Sequence, residues 1–255
     1  MLRGLLRRDR MLVLAGLLVV IALAWAYLLL GAGVPMDQMD MGGGQMMVMA
    51  PEWSAGYATL MFLMWAVMMV AMMLPSAAPA ILLAAALMKQ RGGNRIFGPT
   101  WLFALGYLAV WVAFSALATT LQWGLDRAGL LSTAMASAST VLAGSLLIAA
   151  GIYQWTPFKQ ACLVQCRSPY ELMTRYWRQG AWGPMSAGAR HGLFCLGCCW
   201  VLMALLFVGG LMNLLWIAAL ALLVLIEKLL PAGPRAGRLI GVALMAWGAF
   251  VLFRQ

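Results

Sequence analysis

Residues 59–88 read TLMFLMWAVMMVAMMLPSAAPAILLAAALM, a run without one charged side chain. A helix packed on a water-soluble core keeps a polar face; this one has none. About 20 predominantly apolar residues are enough to cross the hydrocarbon of a bilayer, where no water can satisfy the backbone and a helix is the form that satisfies itself. Within the run, Met61, Met64, Met68 and Met72 fall on one arc of about 80° at 100° per residue. Pro75 and Pro79 each remove a helical hydrogen bond, which frees the carbonyls of Ala71 and Pro75 and predicts a kink.

Working outward, the rest of the 255 residues repeats the pattern: 65% are hydrophobic and 9% charged. The expected fold is an all-α, polytopic transmembrane helix bundle of about seven spans, near 11–30, 59–88, 99–122, 136–157, 190–210, 212–230 and 238–253. The fifth and sixth are separated only by Gly209, Gly210 and Asn213 inside an apolar stretch from Leu193 to Ile226, so a re-entrant pair is the alternative. Two regions follow: an N-terminal anchor helix with a Met-rich external loop over 1–58, and a six-helix membrane domain over 59–255. No solenoid period or inverted duplication is evident. Gly106, Ser115, Gly144, Ser145 and Gly151 are small enough to let helices approach closely.

The formal charge of +10 reflects topology rather than nucleic-acid binding. With the N-terminus cytoplasmic, 15 of the 17 Lys and Arg residues fall in cytoplasmic segments, Lys159 and Lys228 among them, and only Arg127 and Arg254 fall outside. That is the distribution the positive-inside rule demands. Arg3 to Arg10 followed by an apolar core resembles a signal peptide, but the core from Met11 to Leu30 exceeds the usual ~7–15 residues, which favours a retained anchor.

The spans carry almost no charge near their centres, Glu227 and Lys228 lying near a cytoplasmic end, so a pump built on buried carboxylates is not supported. With no Ser-His-Asp set, no phosphate-cradling loop and one histidine, a conventional hydrolase is not expected. The remaining chemistry is sulfur. His191, Cys195, Cys198 and Cys199 would project from a continuous helix at about 0°, 40°, −20° and 80°. Cys162 and Cys166 are i, i+4 neighbours at the exit of the fourth span, where a helix hairpin would carry them toward that face. All five cysteines and the only histidine therefore gather on one side of the membrane. Buried cysteine is often only a small hydrophobe; this clustering favours a transition-metal ion, copper(I) or zinc, because thiolates and imidazole select such metals. Cys195 and Cys198 also have redox-pair spacing, so thiol–disulfide exchange stays open.

Met36, Met39 and Met41 sit in the acidic external loop, and with Met61, Met64, Met68 and Met72 they outline a secondary copper path. Thioethers are soft ligands, although Met stripes commonly serve packing.

Three segments in order resemble a bacterial family of predicted metal-binding integral membrane proteins, domain of unknown function 2182. They are Met68 to Pro75 with Pro79, Tyr153 to Lys159 leading to Cys162, Cys166, Arg167, Ser168 and Pro169, and His191-Gly192 through Cys195, Gly197, Cys198, Cys199 and Trp200. The resemblance covers most of residues 50–253 and implies metal binding and no more, while the spans and the charge distribution lead to the expectation of a multi-pass protein of the bacterial inner membrane. The expectation is a lipid-embedded protein that binds copper or zinc through Cys162, Cys166, His191, Cys195, Cys198 and Cys199, with copper favoured by the methionines. Its role would be metal trafficking, delivery or sensing, with a metallochaperone or membrane complex as partner and no nucleic acid. A thiol oxidoreductase and an assembly scaffold are the alternatives.

Overall fold

The computed structural model describes residues 2–31, 38–40, 46–48, 52–90, 97–132, 135–168, 170, 180 and 182–254, giving backbone alone for 2–9, 38–40 and 46–48. Met36 and Met41 lie outside these residues. The described chain is helical apart from a short antiparallel hairpin, β1 (Gln38–Asp40) with β2 (Met46–Val48), and an isolated bridge between Leu131 and Ser137. Met39 is the central residue of β1, opposite Met47. The helices are α1 (Leu2–Leu29), α2 (Ala55–Gln90), α3 (Phe97–Arg127), α4 (Thr140–Tyr153), α5 (Pro157–Arg167), α6 (Gly183–Ala204), α7 (Leu214–Leu229) and α8 (Gly233–Phe253). A helical turn, Leu206–Gly209, extends α6 after Leu205.

Among the described residues, five helices are long and apolar enough to cross a membrane: α1 from Arg10, α2, α3, α6 with its extension, and α8. The pair α4 and α5, bent by 65°, makes a sixth candidate. The bend has a local cause. Thr156 caps α5 by accepting from Lys159 N, and Pro157 occupies its first turn, so the chain restarts as a new helix. α7 has 16 residues, about 24 Å of rise against about 30 Å of hydrocarbon.

α2 runs through the middle of the bundle, packed against α1, α3 and α7, and α3 packs most extensively on α6. That last contact depends on glycine: a Cβ at Gly106 would collide with the Met185 carbonyl, and one at Gly188 with the Phe103 carbonyl. α4 and α8 form a second close pair, in which a Cβ at Gly248 would lie 2.8 Å from the Gly144 oxygen and one at Gly241 2.9 Å from the Gly151 oxygen. Gly106, Gly144 and Gly151 thus act as close-contact residues. Ser145 does not, because it faces outward, and Ser115 is buried with its hydroxyl donating to Trp111 O at 2.8 Å. Pro75 and Pro79 do not end α2, which continues as one helix to Gln90.

The fold buries three charged side chains and moves the start of one helix. Lys159 and Lys228, counted among the orienting residues of cytoplasmic segments, are turned into the bundle at 1% and 7% exposure, and Glu227 joins them at 2%. In α7 the apolar run concealed this, because a run can be uncharged through most of its length and still deliver a charge to a packed end. α6 also begins at Gly183, seven residues before the expected start of the fifth span, so its cysteines lie in the middle of a helix rather than at its mouth.

Candidate metal centre

Because α6 is continuous, His191, Cys195, Cys198 and Cys199 share one face, and all four are buried against α3, α5 and α7. Cys198 and Cys199 both donate to the Cys195 carbonyl at 3.0 Å, which draws their sulfurs toward the same point. From α5, Cys166 brings its sulfur to 3.8 Å from that of Cys198. Cys166, Cys198 and Cys199 thus gather about the Cys195 turn of α6, and all five cysteines are free thiols. Cys162 packs at the edge of this group, where a Cβ added to Gly197 would sit 2.7 Å from the Cys162 sulfur.

His191 lies one turn before Cys195, with its ring 5.7 Å from that of Tyr107 and 6.1 Å from that of Phe103. Its Nδ1 is buried without a hydrogen-bond partner. A buried, unpaired ring nitrogen is costly unless another group can use it.

Polar groups that sequence reading did not select complete the surroundings. Lys228, from the end of α7, donates to Cys195 Sγ at 2.8 Å and to Ser76 Oγ at 3.3 Å. Ser76 donates onward to Met73 O at 2.9 Å. The Tyr107 hydroxyl bonds to that same carbonyl at 3.3 Å and meets Cys195 Sγ at 3.0 Å. Behind this ring, Lys159 forms a buried ion pair with Glu227 at 2.7 Å and also donates to Gln154 Oε1. Arg167 donates to the Glu227 carbonyl at 3.1 Å. The signal for these residues was a Glu-Lys pair closing a purely apolar helix, since ionisable side chains inside a membrane bundle mark function by default.

Among the described residues, no three His, Cys, Asp or Glu side chains stand ready to hold a metal ion. The thiols are gathered instead by hydrogen bonds and by the Lys228 ammonium. The chemistry of the donor set nonetheless suits a soft cation. Two metal–thiolate bonds of about 2.3 Å at a tetrahedral angle place their sulfurs about 3.8 Å apart, and Cys166 and Cys198 are 3.8 Å apart already. Met61, Met64, Met68 and Met72 are each no more than 1% exposed and lie inside the bundle along α2. They do not join the thiol cluster; α2 reaches it through Met73 O and Ser76.

Comparison with known proteins adds one match. The model of a family described as PpoB2, copper chaperone, matches residues 62–251. That stretch contains all five cysteines, His191, Lys228 and every helix from α3 to α7, and it leaves out α1 and the external methionine loop. No curated protein and no solved structure matches.

Proposed function

The chain belongs to the copper chaperone family, and on that premise we propose that it is an integral membrane protein that accepts Cu(I) at the thiol cluster and passes it on. Copper, as cargo, takes the place of the open choice between copper and zinc. The ligands are drawn from Cys166, Cys195, Cys198 and Cys199, with His191 supplying its unpaired nitrogen and Cys162 standing beside them as an exchange partner. In this reading the protein crosses the bacterial inner membrane about seven times from a cytoplasmic N-terminus, which puts the cluster toward the cytoplasmic side. The recipient is a metallochaperone or a membrane complex. The methionines of the external loop and of α2, Met36, Met39, Met41, Met61, Met64, Met68 and Met72, lead toward it from the other side.

The observation that supports the reading is that free thiols from two helices meet, Cys166 and Cys198 at 3.8 Å, with Cys198 and Cys199 both turned to the Cys195 carbonyl. Soft sulfur donors suit Cu(I), and several thiols in mutual reach allow a ligand-by-ligand handover. The thiol–disulfide alternative draws no support from the family match. The test is the copper content of detergent-purified protein loaded under reducing conditions. The wild type is expected to retain Cu(I) against a competing chelator and the Cys195→Ser/Cys198→Ser variant to lose it. Equal retention by both proteins would sink the proposal.

A further inference from the structure

Toward the N-terminal end of α2, about three turns before it reaches the thiols, two thioethers converge on one buried amide. Gln122 of α3 is 2% exposed, and its Oε1 accepts from Trp65 Nε1 at 2.8 Å. Its Nε2 donates to Met61 Sδ at 3.6 Å and to Met135 Sδ at 3.5 Å. Thioether sulfur is a weak acceptor, and buried amides normally find oxygen. Here both amide protons are directed at soft lone pairs.

Met135 is held there deliberately. It lies on the loop after α3 with φ of 54°, the one non-glycine residue with positive φ among those described. That conformation is uncommon for a residue with a side chain. The loop around it is tied down. Met135 N donates to Ser132 O at 2.8 Å, Ser137 N donates to Phe207 O at 2.7 Å, and Leu131 bridges to Ser137. Met61 is fully buried whereas Met135 is half-buried, so the pair runs from the bundle surface to its interior. Packing alone would be served by leucine, which would leave both amide protons unpaired.

We propose that Met61 and Met135, oriented by Gln122, form a second and weaker Cu(I) site, a thioether station where the ion enters the α2 methionine stripe. The proposal rests on the reading of copper as cargo and adds where it is first held. The geometry is open by a small margin. An amide fork with about 120° between its N–H bonds sets the two sulfurs about 6 Å apart. Two bonds of about 2.3 Å require no more than about 4.6 Å. Capture therefore draws the sulfurs together by about 1.5 Å, within the freedom of two unbranched thioether side chains with three rotatable bonds each. Each sulfur keeps a second lone pair beyond the one that meets the amide. From Met61 the buried Met64, Met68 and Met72 follow at one-turn intervals. Met73, whose carbonyl binds the tyrosine beside Cys195, lies about 18 Å along the axis. Thioethers hold Cu(I) less tightly than thiolates, so the gradient runs toward the cysteines.

The experiment is a titration of the full-length, detergent-purified protein with Cu(I) against chelators of two strengths. The wild type is expected to bind a tight and a weak equivalent. Met61→Leu/Met135→Leu, a volume-conserving change checked by unchanged elution and by a thermal midpoint that stays well above the titration temperature, should lose the weak equivalent and keep the tight one. Cys195→Ser/Cys198→Ser should do the reverse, and its remaining copper should show only sulfur neighbours by X-ray absorption. A methionine variant that keeps the weak equivalent overturns the thioether site while leaving the thiol reading intact. A cysteine variant that keeps the tight equivalent overturns the thiol reading instead. Loss of both equivalents in the cysteine variant also overturns an independent second site.

Discussion

Lys228 carries its charge into the thiol cluster, 2.8 Å from the Cys195 sulfur. A Cu(I) ion held by two thiolates has a net charge of −1, so an ammonium beside it acts as a counter-ion rather than a competitor. At about 4 Å and an effective dielectric of about 20, such a contact contributes on the order of 4 kcal/mol before desolvation is subtracted. Lys228→Met is therefore expected to weaken Cu(I) retention by about tenfold or more, since tenfold requires only about 1.4 kcal/mol. Chelator competition on the purified variant measures this, and unchanged or tighter retention would refute the counter-ion role. The sulfur ligands themselves were legible residue by residue, because spacings of four, three and one on a helix fix their phase. Lys228 was not, since nothing in the phase of α7 says which residue of another helix its last turn will meet.

At the scale of elements, α5 and α7 are joined by the Lys159–Glu227 pair, both partners being at most 2% exposed. This latch holds the helix bearing Cys166 against the helix bearing Lys228. Removing one partner of a buried pair leaves a naked charge and costs about 3–5 kcal/mol, whereas replacing both with apolar groups is often close to neutral. Lys159→Met should therefore lower the thermal midpoint in detergent sharply, and Lys159→Met/Glu227→Leu should recover most of the loss. If the double variant is as unstable as the single, the pair is not the source of the effect. The existence of each long helix followed from its apolar run, whereas α5, which has none, was not foreseen. The ends of the long helices did not follow: the fifth span was expected from residue 190, whereas α6 begins at Gly183, one residue before Pro184. Proline in a first helical turn sacrifices no intrahelical bond, so it marks a start as readily as a break.

For the whole molecule, with the α4–α5 pair taken as one span, the number of crossings turns on α7. If its 16 residues, preceded by Gly210 at φ 89° and capped by Asn213 accepting from Trp216 N, pass through the membrane, the proposed seven spans place the C-terminus outside. If the segment turns back, the count is six and the C-terminus is inside. Alkaline phosphatase fused to the C-terminus, which folds only in an oxidising compartment, is expected to be active, with a fluorescent cytoplasmic reporter dark. The opposite pair of results would remove the seven-span topology. By itself, the sequence determined a helical chain rich in membrane-length apolar runs, and it placed four sulfur or nitrogen donors on one helix face. Both follow from local rules: hydropathy requires an unbroken backbone ladder in lipid, and 100° per residue fixes phase. Only the tertiary structure decided that Cys166 joins that face while Cys162 stays at its edge, that Lys228 and Tyr107 touch Cys195, and that Gln122 spans two methionines. Those contacts join residues far apart in sequence, and the close approach of glycine-bearing helices sets their distances, which no single helix encodes.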